Sequence, residues 1–128
     1  MNLLKKIAVH FHGESPHVRD VVAVYLIAAG IGIAYVWASS EKEITDWLMA
    51  LLAADLAGGI VSNATLSTRI YFRKQGSRAR NIFWLLHGVI YPLIIVGVLG
   101  VMKPMGVLML VACATKICLH AVVTHDDN

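Results

Sequence analysis

Charged residues are scarce in this chain of 128 residues. They make up 15% of the sequence, whereas hydrophobic residues make up 58% and the mean hydropathy is +0.69. A soluble domain has about 25% charged and about 45–50% apolar residues, and a small chain has little interior in which to bury an apolar surplus. The composition therefore excludes most soluble enzyme architectures and predicts an integral membrane protein.

Cysteine is almost absent as well, with two residues in the chain. Cys113 and Cys118 lie five positions apart in one apolar segment, where a helix would turn them to opposite sides. There is no CxxC motif. This excludes a disulfide scaffold and a cysteine-based redox site, and we expect both thiols to be small core residues.

Long apolar stretches are what the sequence does have. Crossing a bilayer requires roughly 20 residues at a rise of 1.5 Å per residue. Four stretches qualify, at residues 21–38, 47–67, 82–102 and 105–124. We therefore expect an all-α integral membrane protein, with a juxtamembrane segment at 1–18 and a four-transmembrane-helix bundle at 19–128. Lys103 and Pro104 separate the last two spans so closely that these should form an antiparallel hairpin.

The distribution of basic residues orients the predicted bundle. Two segments, before the first span and between the second and third, are basic: Lys5, Lys6, Arg19, and Arg69, Arg73, Lys74, Arg78, Arg80. The other two connections hold one basic residue each, and the first also carries acidic ones: Lys42 and Lys103, with Glu41, Glu43 and Asp46. The positive-inside rule predicts a multi-pass protein of the inner (cytoplasmic) membrane with both termini in the cytoplasm.

The same basic loop bears on partners. Its charges should attract anionic membrane lipids at about 1 kcal/mol per residue near the surface. A chain this short leaves no fold for reading bases, so a nucleic-acid partner is not expected.

The first residues predict a short amphipathic helix at the inner membrane surface. Leu4, Ile7, Ala8 and Phe11 fall on one helical face, and lysines fall on another. The apolar run is too short for the hydrophobic region of a signal peptide.

Small residues and aromatic residues predict how the spans pack and where they end. Ala28 to Gly32 and Ala54 to Gly58 have the spacing that lets two membrane helices approach closely. Aromatic side chains are expected at the two membrane interfaces, in an outer and an inner set: Tyr35, Trp37, Trp47, and Tyr71, Phe72, Phe83, Trp84.

Polar residues within the spans are the candidates for function. An ionisable side chain in hydrocarbon costs about 2.5–3.5 kcal/mol on insertion scales. Helical spacing places the polar residues in one stripe on each of three spans: Asp55, Ser62, Asn63; Trp84, His87, Tyr91; Cys113, Lys116, His120. If the three stripes face inward, they form a polar pocket that opens towards the cytoplasmic side.

Specific roles follow from the chemistry of these side chains. Acid–base or anchoring roles suit three residues: Asp55, His87 and His120. Ligand-binding roles suit five: Ser62, Asn63, Trp84, Tyr91 and Lys116. A buried ion pair between Asp55 and Lys116 is an equally good explanation for those two, because pairing lets both remain charged.

Histidines also allow a metal ion or a haem. His87 and His120 could be ligands for zinc or iron, axial haem ligands, or interhelical hydrogen-bonding residues. His10, His12 and His17 form a second set at the inner surface, where they could complete a metal site or simply be solvated.

Four functions remain open at this point. The first is an enzyme or binding protein for a lipophilic molecule held in the polar pocket. The second is a small proton-coupled transporter or ion channel, which would require a homo-oligomer because four helices enclose little space. The others are a bis-histidine haem protein and a structural or assembly factor. Polar residues concentrated in the inner half favour the first function.

The predicted orientation can be tested by cysteine labelling. In a chain with both native cysteines replaced by alanine, Ser40→Cys should react with a membrane-impermeant maleimide in intact cells. Gln75→Cys should react only after the membrane is permeabilised, because the basic loop remains on the cytoplasmic side. The opposite labelling pattern would reverse the orientation.

Overall fold

The computed structural model describes residues 3–40, 42–75, 77–100 and 103–125, apart from the side chains of Leu3, Lys6 and Ser77. These residues form helices, and no strand occurs among them. The elements are α1 (Leu3–His12), α2 (Val18–Ala38), α3 (Ile44–Ala64), α4 (Leu66–Lys74), α5 (Ser77–Leu85), a π-helical turn (Leu86–Ile90), α6 (Tyr91–Leu99) and α7 (Pro104–His125).

The four predicted spans are confirmed. Among the described residues, four helices are long and apolar enough to cross a membrane: Val18–Ala38, Ile44–Ala64, Arg78–Leu99 and Pro104–His125. The chain is therefore an all-α, multi-pass membrane protein with a four-helix bundle. Glu41 of the acidic connection and Met102, the predicted end of the third span, lie outside the described residues.

The central pair of the bundle consists of α3 and α7. On one side α3 packs along α2, and on the other it packs against α7, which also contacts the π-helical turn and α6. An apolar core fills the half of the bundle that lies away from α4, where Met49, Leu56, Ile95, Met109 and Cys113 are almost fully buried. In the described part of the chain, this half is therefore filled mainly by apolar side chains.

Small residues bring α2 and α3 together, as their spacing predicted. A Cβ atom added at Gly58 would lie 3.1 Å from Cβ of Ala28, and one added at Gly32 would lie 3.3 Å from Cβ of Ala54. The two backbones thus approach closely along this stripe, which is the packing that small residues permit between membrane helices.

The second span ends three residues earlier than predicted. Thr65 has an extended backbone, and its hydroxyl accepts a hydrogen bond from the backbone N–H of Thr68, so it caps α4. Hydroxyl side chains compete with the backbone of a helix for hydrogen bonds, which explains the break in the Ser- and Thr-rich segment 62–68. The result is a separate basic helix, α4, at the end of the bundle.

The third span is not a uniform helix. The backbone N–H of Tyr91 donates to the carbonyl of Leu86, which is the i→i+5 pattern of a π-helical turn. Pro92 follows at once and has no N–H with which to continue an α-helical ladder. Pro92 is therefore the residue in the sequence that indicates this widened turn. The spacing of apolar residues does not reveal it.

The amphipathic helix α1 is docked on the bundle. Ser62 and Thr68 both donate hydroxyl hydrogen bonds to the carbonyl of Phe11, near the end of α1. Gly13 then ends the helix with a φ of +79°, and a Cβ there would overlap the backbone of Ser67. The rest of the protein leaves the apolar residues of α1 exposed, namely Leu4, Ile7 and Phe11. Such exposure is expected for a helix that lies at a membrane surface.

Several predicted surface or core positions are wrong. Tyr35, Phe72 and Phe83 are buried, so they are not interfacial anchors, because Tyr35 packs into the apolar core and the Phe72 and Phe83 rings pack against His120. Trp37 and Trp47 are exposed, as predicted. Cys113 is buried, but Cys118 lies on the outer surface on the opposite side of α7.

A pair of glycine substitutions tests the contact between α2 and α3. Gly58→Leu should lower the free energy of unfolding in detergent by about 1–3 kcal/mol, because the new side chain must separate the two helices. Gly30→Leu is the matched control, since nothing lies within 4 Å of a Cβ at that position. Equal effects of the two substitutions would contradict this packing.

Candidate functional site

A charged cluster lies midway along the bundle. Lys116 Nζ lies 3.0 Å from Oδ2 of Asp55 and also donates to the Asp55 backbone carbonyl at 3.3 Å. His87 Nε2 lies 3.7 Å from the same carboxylate oxygen. The Lys116 and His87 side chains are 5% and 8% exposed, and that of Asp55 is 28% exposed. The ion pair that the sequence left as an alternative is therefore formed, and it joins α3 to α7.

Gly59 makes room for this ion pair. A Cβ atom at that position would overlap the end of the Lys116 side chain. Because Gly59 lies one turn after Asp55 on the same face of α3, its missing side chain opens the path by which the ammonium reaches the carboxylate. The two neighbouring glycines thus have different uses: Gly58 faces α2, and Gly59 faces a side chain from α7.

Five rings form a column beside the ion pair. The Phe83 ring stacks on His120, with centroids 3.8 Å apart, and on His87, with centroids 4.2 Å apart. Tyr91 lies against His87 at 4.7 Å, and Phe72 meets His120 edge-on at 4.9 Å. Two rings stacked so closely on one phenyl ring occupy its two faces. Phe83 therefore separates the two histidines.

The sequence analysis did not place Phe83 in the site and predicted Trp84 there instead. Trp84 is 39% exposed, whereas Phe83 is buried. The prediction assumed a period of 3.6 residues, which groups positions 84, 87 and 91. The π-helical turn has wider spacing and aligns Phe83, His87 and Tyr91 instead.

Several buried polar atoms in this region have no hydrogen-bond partner. They belong to three residues: Asn63 (Nδ2), His87 (Nε2) and His120 (both ring nitrogens). The His87 Nδ1 atom does have one, since it donates to the Phe83 carbonyl at 3.0 Å. Leaving a buried polar group unpaired costs about 1–3 kcal/mol. His120, which is 0% exposed, is the residue with both of its polar atoms in this state.

A polar cavity opens at the end of the bundle where α4, α5 and α7 meet. It has a volume of about 280 Å³. Its lining residues are Phe72, Arg73, Gln75, Arg80, His120, Thr124 and His125. Of the residues that the sequence predicted for the site, His120 lines this cavity. Asp55, His87 and Lys116 are packed against one another deeper in the bundle.

Arg73 holds one wall of this cavity in place. Its Nε atom donates to the carbonyl of Val123 at 3.2 Å, near the end of α7. Carbonyls in the last turn of a helix lack intrahelical partners, so a basic side chain here stabilises the helix end. This contact ties α4 to α7 beside the opening.

Two residues predicted to bind ligand lie elsewhere in the packing. The Ser62 hydroxyl donates to the Phe11 carbonyl and lies 3.2 Å from the Thr68 hydroxyl, so it helps to anchor α1. Asn63 is buried on the next position of α3 with its amide nitrogen unpaired.

The three N-terminal histidines are not gathered around one point. His12 Nε2 lies 3.1 Å from the Tyr25 hydroxyl, His10 packs edge-on against Phe72, and His17 is exposed. Desolvation lowers the pKa of His10, with a smaller contribution from the positive charge of Lys116, and burial lowers the pKa of His12. Both imidazoles are therefore neutral at neutral pH.

The described residues do not assemble a metal or haem site. Within the described ranges, no group of three or more His, Cys, Asp or Glu side chains lies close enough to hold a metal ion. A haem between His87 and His120 would need an open slot between the two imidazoles. The Phe83 ring fills that space.

The ion pair can be tested by removing one charge and then both. Lys116→Met should lower the free energy of unfolding by about 3–5 kcal/mol, because it leaves the Asp55 carboxylate buried without its cation. Adding Asp55→Asn to that variant should recover most of the loss. Chemical unfolding in mixed detergent micelles would measure both effects.

The control is Lys74→Met, which breaks an exposed ion pair with Glu14 in which both side chains are 59% exposed. Its effect should stay within about 1 kcal/mol, as for other surface pairs. If Lys116→Met were as mild as this control, the buried pair would not be stabilising the bundle.

Comparison with known proteins assigns no family to this chain. No family model, no curated protein and no solved structure matches it.

Proposed function

We propose that this protein is a membrane-embedded binding protein for a lipophilic molecule whose polar group enters the 280 Å³ cavity and hydrogen-bonds to His120. One observation carries the proposal. His120 is fully buried, both of its ring nitrogens lack a partner, and it lines a cavity that opens at the polar end of the bundle.

The energetics of His120 support a ligand. A neutral imidazole offers one N–H donor and one acceptor nitrogen. A bound hydroxyl, carbonyl or acid group would satisfy a nitrogen that otherwise costs about 1–3 kcal/mol to leave unpaired. The stacked Phe83 and edge-on Phe72 hold the ring in one orientation, so little conformational entropy is lost when it binds.

The location of the cavity supports a lipophilic ligand. His120 lies five residues before the end of α7, which corresponds to about 7.5 Å of helix. A molecule that reaches this depth from the bilayer can keep its apolar part in lipid. With the proposed orientation, in which both termini are cytoplasmic, the cavity opens at the inner leaflet of the cell membrane.

The packing favours binding over proton or ion conduction. A conducting path needs polar groups along the whole bundle, but the half beyond the Asp55–Lys116 pair is filled by apolar side chains, among them Leu56, Ile95 and Met109. On the cavity side, the Phe83 ring interrupts the line between His120 and His87. A one-sided site remains.

The deeper charged cluster has a supporting role in this proposal. Lys116 pairs with the Asp55 carboxylate. The carboxylate therefore joins two helices and is not the first contact of a ligand. His120 is also the side chain placed to exchange a proton with a bound molecule, if a reaction accompanies binding.

His120→Phe tests the proposal, because phenylalanine preserves the stacking on Phe83 and removes both nitrogens. Native mass spectrometry of the protein released from mild detergent should show a bound lipophilic adduct on the wild type and its loss in this variant. With the adduct removed from both proteins, the thermal midpoint of the variant should equal or exceed that of the wild type, because an unpaired buried polar group has been replaced by an apolar ring of similar shape.

His17→Phe is the control, since His17 is exposed and lies away from the cavity. It should retain the adduct. A His120→Phe variant that keeps the adduct, or that unfolds at a clearly lower temperature than adduct-free wild type, would assign His120 to packing and refute the proposal.

A further inference from the structure

We infer that the polar group which enters the cavity beside His120 is a hydroxyl, so that the ligand is a lipophilic alcohol. The inference rests on the proposed function and specifies the polar group of the ligand. It draws on a second observation, the hydrogen bonding of Thr124, which lines the same cavity.

Thr124 brings a hydrogen-bond acceptor to the cavity wall. Its hydroxyl donates to the backbone carbonyls of His120 and Ala121, at 3.0 and 3.2 Å. A hydroxyl has one proton and two lone pairs, so the proton is in use while the oxygen can still accept. Among the described residues, none donates a hydrogen bond to the Thr124 oxygen. This oxygen can therefore accept a hydrogen bond from a group that enters the cavity.

His120 adds a second acceptor one helical turn away. The two residues are four positions apart on α7, so they share a face of the helix, and both line the cavity. A neutral imidazole has one N–H and one nitrogen with a lone pair, whichever tautomer is present. Both ring nitrogens of His120 are buried without a partner. Together, Thr124 and His120 offer two acceptors and one donor.

The other polar side chains of the described lining do not meet these two acceptors. Arg73 and Arg80 carry guanidinium groups, which donate hydrogen bonds and never accept them, and Gln75 carries an amide that does both. In the described structure, neither Thr124 nor the His120 ring takes a hydrogen bond from these side chains. A ligand that fits must therefore supply a proton donor as well as an acceptor.

A hydroxyl group meets both requirements with one oxygen atom. Its proton is donated to the Thr124 oxygen, and its lone pairs accept from the N–H of His120. The oxygen of a ketone, an ester or an ether can only accept, so it leaves the Thr124 oxygen unpaired. An ionised acid also only accepts, and it brings a charge that must be desolvated, whereas a hydroxyl is neutral.

Thr124→Val is the decisive variant, and Thr115→Val is its matched control. Valine keeps the β-branched shape of threonine and removes the hydroxyl. Thr115 lies on the same helix and donates its hydroxyl to the carbonyl of Val111 at 2.9 Å, but it does not line the cavity. Both variants therefore lose one hydroxyl and its hydrogen bond to the α7 backbone, and only one of them changes the proposed site.

Native mass spectrometry of the full chain, stripped of any adduct in mild detergent, would follow binding of oleyl alcohol, its methyl ether and oleic acid, which share one hydrocarbon chain. Wild-type protein and Thr115→Val should bind the alcohol at least about fivefold more tightly than the ether. In Thr124→Val that preference should fall by about threefold or more, the loss expected when one neutral hydrogen bond is removed. The methyl group of the ether adds the same bulk in every variant, so the fall isolates the hydrogen bond.

The inference and the proposed function fail in different ways. No binding of the alcohol by wild-type protein, equal binding of alcohol and ether, tighter binding of oleic acid, or equal effects of the two threonine substitutions would overturn the hydroxyl as the polar group. If His120→Phe nevertheless lost the native adduct, the proposed function would stand with a ligand that carries another polar group. Retention of the native adduct by His120→Phe would overturn both.

Discussion

The ion pair between Asp55 and Lys116 organises the interior of this bundle. In a bilayer neither charge can be left alone, so α3 and α7 must pack in the one register that places Nζ 3.0 Å from the carboxylate. Gly59 is then required where the lysine passes. Because α2 packs on the other side of α3, and the third span packs on α7, this central pair sets the position of both outer helices.

A second constraint is the π-helical turn that precedes Pro92. It turns Phe83 inward beside His87, and the phenyl ring fills the space between the two buried histidines. His120 is thereby held rigidly by aromatic contacts while its nitrogens stay unpaired. Rigid positioning together with an unmet hydrogen-bonding requirement is what supports the proposed binding role of His120.

The two halves of the bundle are therefore built differently. One half is a close-packed apolar core. The other is a polar end to which α1 and α4 are attached through hydroxyl groups at Ser62 and Thr68 and through the hydrogen bond from Arg73 to α7. The described lining of the cavity at that end combines the buried imidazole of His120 with the side chains of Arg73 and Arg80. This asymmetry supports recognition of an amphiphile whose polar group is the end that enters.

The sequence by itself determined the four spans, the amphipathic helix α1, the contact of small residues between α2 and α3, and the inward positions of Asp55 and Lys116. These follow from length, hydropathy and helical spacing, which are local properties of the chain. Only the tertiary structure decided that Asp55 pairs with Lys116, that Phe83 and not Trp84 packs between the two histidines, and that the open cavity lies beside His120. Such outcomes depend on which faces of different helices meet, and a widened turn changes those faces without altering hydropathy.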